Sequence, residues 1–383
     1  MKNPKLLLNK LFLIFMLCFI TSEVISQTRE IFTLQKDWKF TKGNPENASE
    51  TNFNAASWQD VTIPHDWAIS EPFIIDGDGD TGKLPWKAEG WYRKELEIPS
   101  AYKNKKIYLI FDGVMAFPKV YINGKLAGEW DYGYNSFQLD ITDFVNFGGE
   151  NILAVHADTR EHESRWYPGG GIFRKVQLLI VNPIHVGVWG TYITTPIVKP
   201  NYADVRISTT VQNQSGNSEA IKVKQVILNS KGDEVARALI SGSILSETTK
   251  DFEVIAQIAN PIRWELENPM LYKVVTTIYK NNEVIDSYST LFGVRTIRFT
   301  ADDGFYLNDK RVQLKGVNLH SDFGPLGVAF NVRAMERQLE IMKSMGANAI
   351  RNSHNVAAPE VLDLCDKMGI LVFNEAFDKY DAK

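Results

Sequence analysis

Cysteine is almost absent from this 383-residue sequence, which contains only two. Cys18 lies in an N-terminal segment that we expect to be removed, so Cys365 would be the single thiol of the mature chain. One thiol cannot form an internal disulfide or a cysteine metal cluster. Cys365 lies on the apolar side of a helical pattern, which indicates a core residue.

A surplus of charge of one sign is also missing. The 42 Lys and Arg residues nearly balance 46 Asp and Glu residues, and the formal net charge is −4 at pH 7. Such a balance gives no broad electrostatic attraction to nucleic acid or to an anionic membrane surface. We therefore expect neither of them as a partner.

Long apolar runs are missing as well. The run at residues 11–20 follows three lysines and is shorter than the roughly 20 residues that a membrane-spanning helix needs. A positive segment, a short apolar run and acceptable residues before Gln27 are typical of a secretory signal peptide. We predict a signal peptide over residues 1–26, a secreted or periplasmic protein, and no membrane contact after cleavage. A membrane anchor is the alternative.

Residues 27–185 have the pattern of an all-β domain. Short runs of β-branched and aromatic residues, such as 107–111 and 176–181, are separated by turn residues. Asn123-Gly124 is a strong signal for a two-residue hairpin. We predict a β-sandwich of jelly-roll type.

Aromatic residues are frequent in the predicted loops of this domain. They are Trp67, Trp86, Trp91, Tyr92, Trp130, Tyr132, Tyr134, Trp166 and Tyr167. Flat aromatic rings can stack on sugar rings, whereas the alternative for any one of them is core packing. Trp166 and Tyr167 differ because a triple glycine at 169–171 follows them and predicts a flexible loop. We expect these two residues to contact a carbohydrate.

Residues 186–299 predict a second all-β domain. About seven short strands alternate apolar and polar residues, for example at 205–211 and 221–228. This length and strand number are typical of an immunoglobulin-like β-sandwich. It carries no clustered catalytic side chains, so we interpret it as a spacer. Residues 301–304 are predicted to be a linker to the third part.

Residues 300–383 alternate apolar runs with amphipathic segments. One helix is predicted from the N-cap Asn331 to Gly346, and a second from Pro359 to Gly369. An apolar run follows each helix, and the run at 311–317 precedes both. Repeated strand, helix, strand units indicate a parallel sheet, as in a (β/α)8 TIM barrel. Because such a barrel takes about 250 residues, we expect it to be truncated here after about three strands.

Polar residues lie where these predicted strands end. They are Asn318, His320, Arg351, Asn352, His354 and Glu375. Since parallel strands end at one edge of a sheet, we expect these residues to form one site. His320 and His354 lack a clear third ligand for zinc. The loop at 76–80, DGDGD, lacks the spacing of a calcium loop, so we predict no metal and no cofactor.

Six motifs carry a resemblance to a known family. They are FDGVMAFPKVYINGKLAG, YPGGGIFRKV, FGVRTI, LKGVNLH, MGANAIRNSHN and LCDKMGILVFNEAFD. Their order resembles glycoside hydrolase family 2, in which a sugar-binding sandwich, an immunoglobulin-like domain and a catalytic TIM barrel follow one another. The SHN motif at 353–355 is most similar to the β-galactosidase branch. Alternatives are β-glucuronidase, β-mannosidase and a noncatalytic carbohydrate-binding protein.

The resemblance implies a retaining glycosidase that removes terminal β-linked sugars with two glutamates, and the predicted signal peptide implies that it is secreted. In the family these follow the fourth and seventh barrel strands, so we expect no catalytic residue in this chain. Asn374-Glu375 imitates the acid/base motif but matches the third-strand motif, so we expect Glu375 to be a pocket carboxylate, and the acid/base role is its alternative. Arg351 is expected to bind either sugar or Glu375. A magnesium ligand of some members is replaced by Lys379. The partner is a carbohydrate, and a homo-oligomer stays possible.

Overall fold

A computed structural model of the protein describes residues 28–377. The predicted signal peptide at 1–26 and Lys379 lie outside the described residues. Within the described part, neither helix has the length and apolarity that crossing a bilayer requires.

Two antiparallel sheets form the first domain, as predicted. Its strands are β1 (Arg29–Thr33), β2 (Trp38–Lys42), β3 (Gln59–Val61), β4 (Glu89–Ile98), β5 (Lys106–Phe111), β6 (Lys119–Ile122), β7 (Lys125–Glu129), β8 (Phe137–Asp140), β9 (Gly149–Asp158) and β10 (Val176–Val181). One sheet has the order β1-β10-β5-β8 and the other β3-β2-β4-β9-β6-β7. Asn123 and Gly124, both at positive φ, turn β6 into β7, which confirms the predicted hairpin.

Large aromatic and aliphatic side chains fill the space between these sheets. Trp38, Tyr92 and Phe111 are fully buried there. The expectation that the aromatic residues lie in loops is wrong for Trp91 and Tyr92, which are part of β4. Their alternation along that strand points one ring to each face of the sheet, so that both are buried.

Seven strands form the second domain, in agreement with the predicted immunoglobulin-like sandwich. They are β11 (Ile184–Val198), β12 (Tyr202–Asn213), β13 (Glu219–Leu228), β14 (Glu234–Ile244), β15 (Thr248–Ala259), β16 (Tyr272–Lys280) and β17 (Glu283–Phe292). The two sheets have the orders β11-β12-β15 and β14-β13-β16-β17. A buried ion pair joins the two sandwiches, because Arg29 Nη2 lies 2.8 Å from Asp286 Oδ2.

A small antiparallel sheet precedes the parallel one. Its strands are β18 (Ile297–Thr300), β19 (Gly304–Leu307) and β20 (Lys310–Arg311). The predicted linker at 301–304 is therefore largely the turn between β18 and β19. The first barrel strand, predicted at 311–317, begins later than predicted, at Gly316. Asn308 and Asp309 adopt positive φ and form a tight turn, so that Arg311 pairs backwards with Tyr306.

The parallel sheet consists of three strands and two helices. They are β21 (Gly316–Leu319), α1 (Val332–Ser344), β22 (Ala349–Asn352), α2 (Pro359–Met368) and β23 (Leu371–Asn374). Asn331 caps α1 by accepting a hydrogen bond from Ala334 N, and Gly369 ends α2 at φ +70°, which confirms both helices. Cys365 is 1% exposed on α2, as predicted, and burial raises the pKa of its thiol to about 12.

The barrel segment packs against both sandwiches. Trp264 of the second sandwich is 1% exposed, and its Nε1 donates a hydrogen bond to the carbonyl of Asp366 in α2 at 2.7 Å. A Cβ on Gly369 would lie 2.1 Å from the carbonyl oxygen of Leu266, so this contact requires glycine. The three parts therefore meet through buried contacts rather than through a free linker.

His185, at the start of the second sandwich, predicts a loss of stability in acid. It is fully buried, and burial, followed by the positive charge of Arg29, lowers its pKa from 6.5 to about 4. Between these two values only the unfolded chain binds the proton. The free energy of unfolding should therefore fall as pH drops from 6.5 to 4, by about 3 kcal/mol from this residue.

Urea unfolding at pH 7 and at pH 4.5 measures this effect. A His185→Gln variant should lose less stability between the two pH values than the unsubstituted protein does. The difference between the two proteins isolates His185 from the other histidines. Equal losses in both proteins would contradict the assignment.

Candidate functional site

The carboxyl ends of β21, β22 and β23 bring four polar side chains together. Arg351 Nε donates a hydrogen bond to Glu375 Oε1 at 2.5 Å, and His354 Nδ1 lies 2.9 Å from Glu375 Oε2. The rings of His320 and His354 lie 5.5 Å apart, nearly perpendicular. The structure thus brings His320, Arg351, His354 and Glu375 together at one sheet edge, because parallel strands end together.

The first sandwich adds an aromatic ring to this edge. The Trp166 ring centre lies 5.4 Å from that of His354 and 6.0 Å from that of His320. Trp166 Nε1 donates a hydrogen bond to the Tyr134 hydroxyl at 3.1 Å, which orients the indole. We call Trp166, His320, Arg351, His354 and Glu375 the strand-end cluster.

The strand-end cluster keeps its carboxylate ionised. Burial opposes the charge of Glu375, but hydrogen bonds from Arg351 and His354 outweigh it and leave the pKa of Glu375 below its ordinary value. Burial, followed by the nearby His354, lowers the pKa of His320. A general acid needs a raised pKa to hold its proton at neutral pH. A lowered pKa does not suit Glu375 to the role of a general acid.

Three other residues that the sequence predicted for the site are not members of the strand-end cluster. Asn352 is 2% exposed, and its amide donates a hydrogen bond to the carbonyl of Asn355 at 2.5 Å, so it holds the loop after β22. The Tyr167 hydroxyl donates to Asp66 Oδ2 at 2.6 Å and thus points into the protein. Asn318 is exposed on β21, two residues before His320. These positions give Asn352 and Tyr167 structural contacts.

The triple glycine is not the flexible loop that we predicted. Gly169, Gly170 and Gly171 are all buried. A Cβ on Gly169 would lie 2.1 Å from Cγ2 of Val328, and one on Gly170 would lie 2.2 Å from the Trp67 ring. Gly169 is therefore a site of close approach between the sandwich and the barrel segment, and Gly170 is one within the sandwich. Local sequence could not show this, because both partners are distant along the chain.

Sequence reasoning missed two buried charges behind the cluster. Arg174 is 2% exposed and donates hydrogen bonds to the carbonyls of Asp112, Tyr134 and Val356 at 3.3, 2.7 and 2.9 Å. Burial lowers its pKa to about 10. Asp66, also 2% exposed, accepts from Tyr167 and from the barrel segment. Their signal in the sequence is a charged residue next to apolar or aromatic neighbours, as in IFRKV and PHDWA.

Candidate metal ligands are not gathered anywhere between residues 28 and 377. No group of three or more His, Cys, Asp or Glu side chains is placed there to hold an ion. The DGDGD loop is part of that range.

Three family models match consecutive parts of the chain. The sugar binding domain of glycosyl hydrolases family 2 matches residues 34–182, the model named glycosyl hydrolases family 2 matches 186–295, and the family's TIM barrel domain matches 299–379. These ranges follow the first sandwich, the second sandwich and the segment from β18 onward.

Known proteins with similar sequences are glycosidases. A β-galactosidase of Bacteroides ovatus is 40% identical over 366 residues, which are 95% of this chain and 43% of that protein. A β-glucuronidase of Formosa agariphila is 30% identical over 92% of this chain and 38% of its own length. The chain thus spans less than half the length of these relatives.

Solved structures show the same architecture. A glycosyl hydrolase family 2 member from Bacteroides cellulosilyticus matches with a TM-score of 0.88 at 34% identity, over 91% of this chain and 46% of that one. A β-glucuronidase from glycoside hydrolase family 2 also matches with a TM-score of 0.88, at 28% identity, over 94% of this chain and 40% of that one.

Proposed function

The chain belongs to glycosyl hydrolase family 2, and from this premise we propose that its strand-end cluster binds the terminal β-linked sugar in a secreted, retaining β-galactosidase. The observation that carries the proposal is the position of Trp166. This ring comes from the first sandwich, yet it lies beside His320 and His354 at the carboxyl edge of the barrel sheet. An aromatic face next to polar groups suits a sugar ring, which has apolar faces and hydroxyl edges.

The cluster supplies binding groups for a glycoside transition state. Hydrogen bonds to sugar hydroxyls can strengthen as the oxocarbenium-like state forms, and such bonds raise the rate rather than only the affinity. His320 and Arg351 are the groups that we assign to this task. A retaining mechanism needs two carboxyl groups about 5 Å apart. Glu375 is already held by Arg351 and His354, so we assign it to orienting them and assign neither catalytic role to it.

The charge at the cluster favours a neutral sugar over a uronic acid. A β-glucuronide carries a carboxylate, whose recognition calls for a cation that is open to it. The Arg351 guanidinium already donates to Glu375 at 2.5 Å. We therefore prefer galactoside to glucuronide as substrate. β-Glucuronidase is the second candidate activity, because the Formosa agariphila relative is a β-glucuronidase.

Hydrolysis of the nitrophenyl glycosides tests the proposal. The complete product of the reading frame that encodes this chain should hydrolyse nitrophenyl β-galactoside faster than the β-glucuronide. Trp166→Ala should lower kcat/KM by about 10- to 100-fold, which corresponds to a ring contact of roughly 1–3 kcal/mol. Trp189→Ala is the matched control, because this exposed indole lies in β11 of the second sandwich, and its kcat/KM should be unchanged.

Two results would change the proposal. A faster reaction with the β-glucuronide would replace the galactoside. Activity of the 383-residue chain alone that disappears in Glu375→Gln would make Glu375 catalytic. Export is tested separately by N-terminal sequencing of the exported protein. Its first residue should be Gln27.

A further inference from the structure

We propose that Asp66 is a positioning residue that holds Trp166 of the first sandwich against His320 of the barrel sheet. The inference rests on the proposed function in one respect, namely that the pocket between these two rings is the sugar pocket. Asp66 itself is 2% exposed and cannot touch a sugar. It would act through the segments that carry the two rings.

The Asp66 carboxylate joins these two segments directly. Its Oδ2 accepts hydrogen bonds from the Tyr167 hydroxyl at 2.6 Å and from Val328 N at 3.0 Å. Tyr167 is the neighbour of Trp166, and Val328 lies in the loop between β21 and α1 that begins with His320. One oxygen atom therefore links the indole segment of the sandwich to the histidine segment of the barrel.

The other carboxylate oxygen accepts hydrogen bonds from the first sandwich. Asp66 Oδ1 accepts from Ala68 N at 3.1 Å and from Gly170 N at 3.4 Å. All four donors are neutral, and each oxygen accepts two of them. Only an ionised carboxylate offers two oxygens that both accept; an asparagine would turn an NH2 group toward two donors. The arrangement thus requires an aspartate.

The segments that meet at Asp66 are closely packed, so the carboxylate has little space in which to move. A Cβ on Gly327 would lie 2.1 Å from Asp66 Oδ2. Val328 is 2% exposed and packs in one cluster with Tyr134, the residue that accepts the hydrogen bond from Trp166 Nε1. The indole is thereby supported at two points. Its neighbour Tyr167 is tied to Val328 through Asp66, and Tyr134 packs in the same apolar cluster as Val328.

Fluorine NMR of protein labelled with 5-fluorotryptophan tests this inference without sugar. The Trp166 resonance is assigned by its loss in Trp166→Phe. In the otherwise unsubstituted protein, His320→Ala should shift that resonance, because the two ring centres lie 6.0 Å apart. In the Asp66→Asn background, the same His320→Ala change should move it less than half as far. Asp60→Asn, an exposed carboxylate paired with Lys39, is the matched control and should leave the shift at full size.

Tyr167→Phe keeps the test decisive if Asp66→Asn fails to fold. It removes only the hydroxyl that donates to Asp66 and keeps the ring. The His320→Ala shift should again be reduced. A shift of full size in the folded variants would overturn the inference. Because the measurement needs no sugar, a reduced shift together with no galactoside binding would leave the positioning role in place and remove only the proposed function.

Discussion

Replacing Arg174 by alanine is expected to lower the free energy of unfolding by about 4 kcal/mol and to loosen the barrel segment from the first sandwich. The guanidinium is 2% exposed and donates to three main-chain carbonyls. Alanine would leave these acceptors buried without a donor and would open a cavity where the long side chain lay. One of the three carbonyls belongs to Val356, in the loop that follows β22.

Urea unfolding and limited proteolysis measure the two parts of this effect. The variant should unfold at lower urea concentration, and a protease should cut the segment after β20 earlier than in the unsubstituted protein. Arg333→Ala is the matched control, since this arginine is exposed on α1 and pairs with Glu336 and Glu340. Exposed pairs of this kind contribute little to stability. Equal stability of Arg174→Ala and Arg333→Ala would contradict the role of Arg174.

Gly171→Ala should cost a similar amount, about 4 kcal/mol, through two additive causes. Gly171 has φ +106°, a region that is unfavourable for any residue with a Cβ. The added Cβ would also lie 2.1 Å from the hydroxyl of Tyr92. That hydroxyl is 2.8 Å from His65 Nδ1 and the Tyr92 ring is fully buried, so the hydroxyl cannot withdraw unless the buried ring moves.

Gly43→Ala separates the two causes. Gly43 has φ +90°, but an added Cβ would meet nothing within 4 Å. This variant should show only the backbone cost, about 1–2 kcal/mol. The two melting curves, measured under the same conditions, should therefore differ clearly. If both variants lost the same free energy of unfolding, the close contact between Gly171 and Tyr92 would not contribute to stability.

The sequence pattern within short windows was sufficient to predict the two helices and the last two strands of the barrel segment. Asn331 and Gly369 mark the helix ends where cap chemistry places them, and the apolar runs after Gly346 and Gly369 become β22 and β23. Such signals depend on neighbours within one turn or one strand. The error at residues 311–317 arose because a two-residue turn at Asn308 and Asp309 redirects the chain.

The positions of the functional side chains could not all be predicted from the sequence pattern. Strand-end placement brought His320, Arg351 and Glu375 to one edge, as parallel topology requires. Asn352 was selected by this strand-end reasoning and Tyr167 by its place before the triple glycine. The structure shows that Asn352 holds a loop and that Tyr167 donates to Asp66. Which way a polar side chain points depends on partners that can be a hundred residues away.

The sequence by itself determined the family, the order of two sandwiches and a parallel β/α segment, and the set of polar residues at the strand ends. These follow from periodicity, caps and motifs, which are read within short windows of the chain. Only the tertiary structure decided that Trp166 meets His320 and His354, that Glu375 holds Arg351, and that Asp66 and Arg174 join the sandwich to the barrel segment. The physical reason is that buried charges and glycine contacts are satisfied between distant segments, so their partners exist only after the domains have packed.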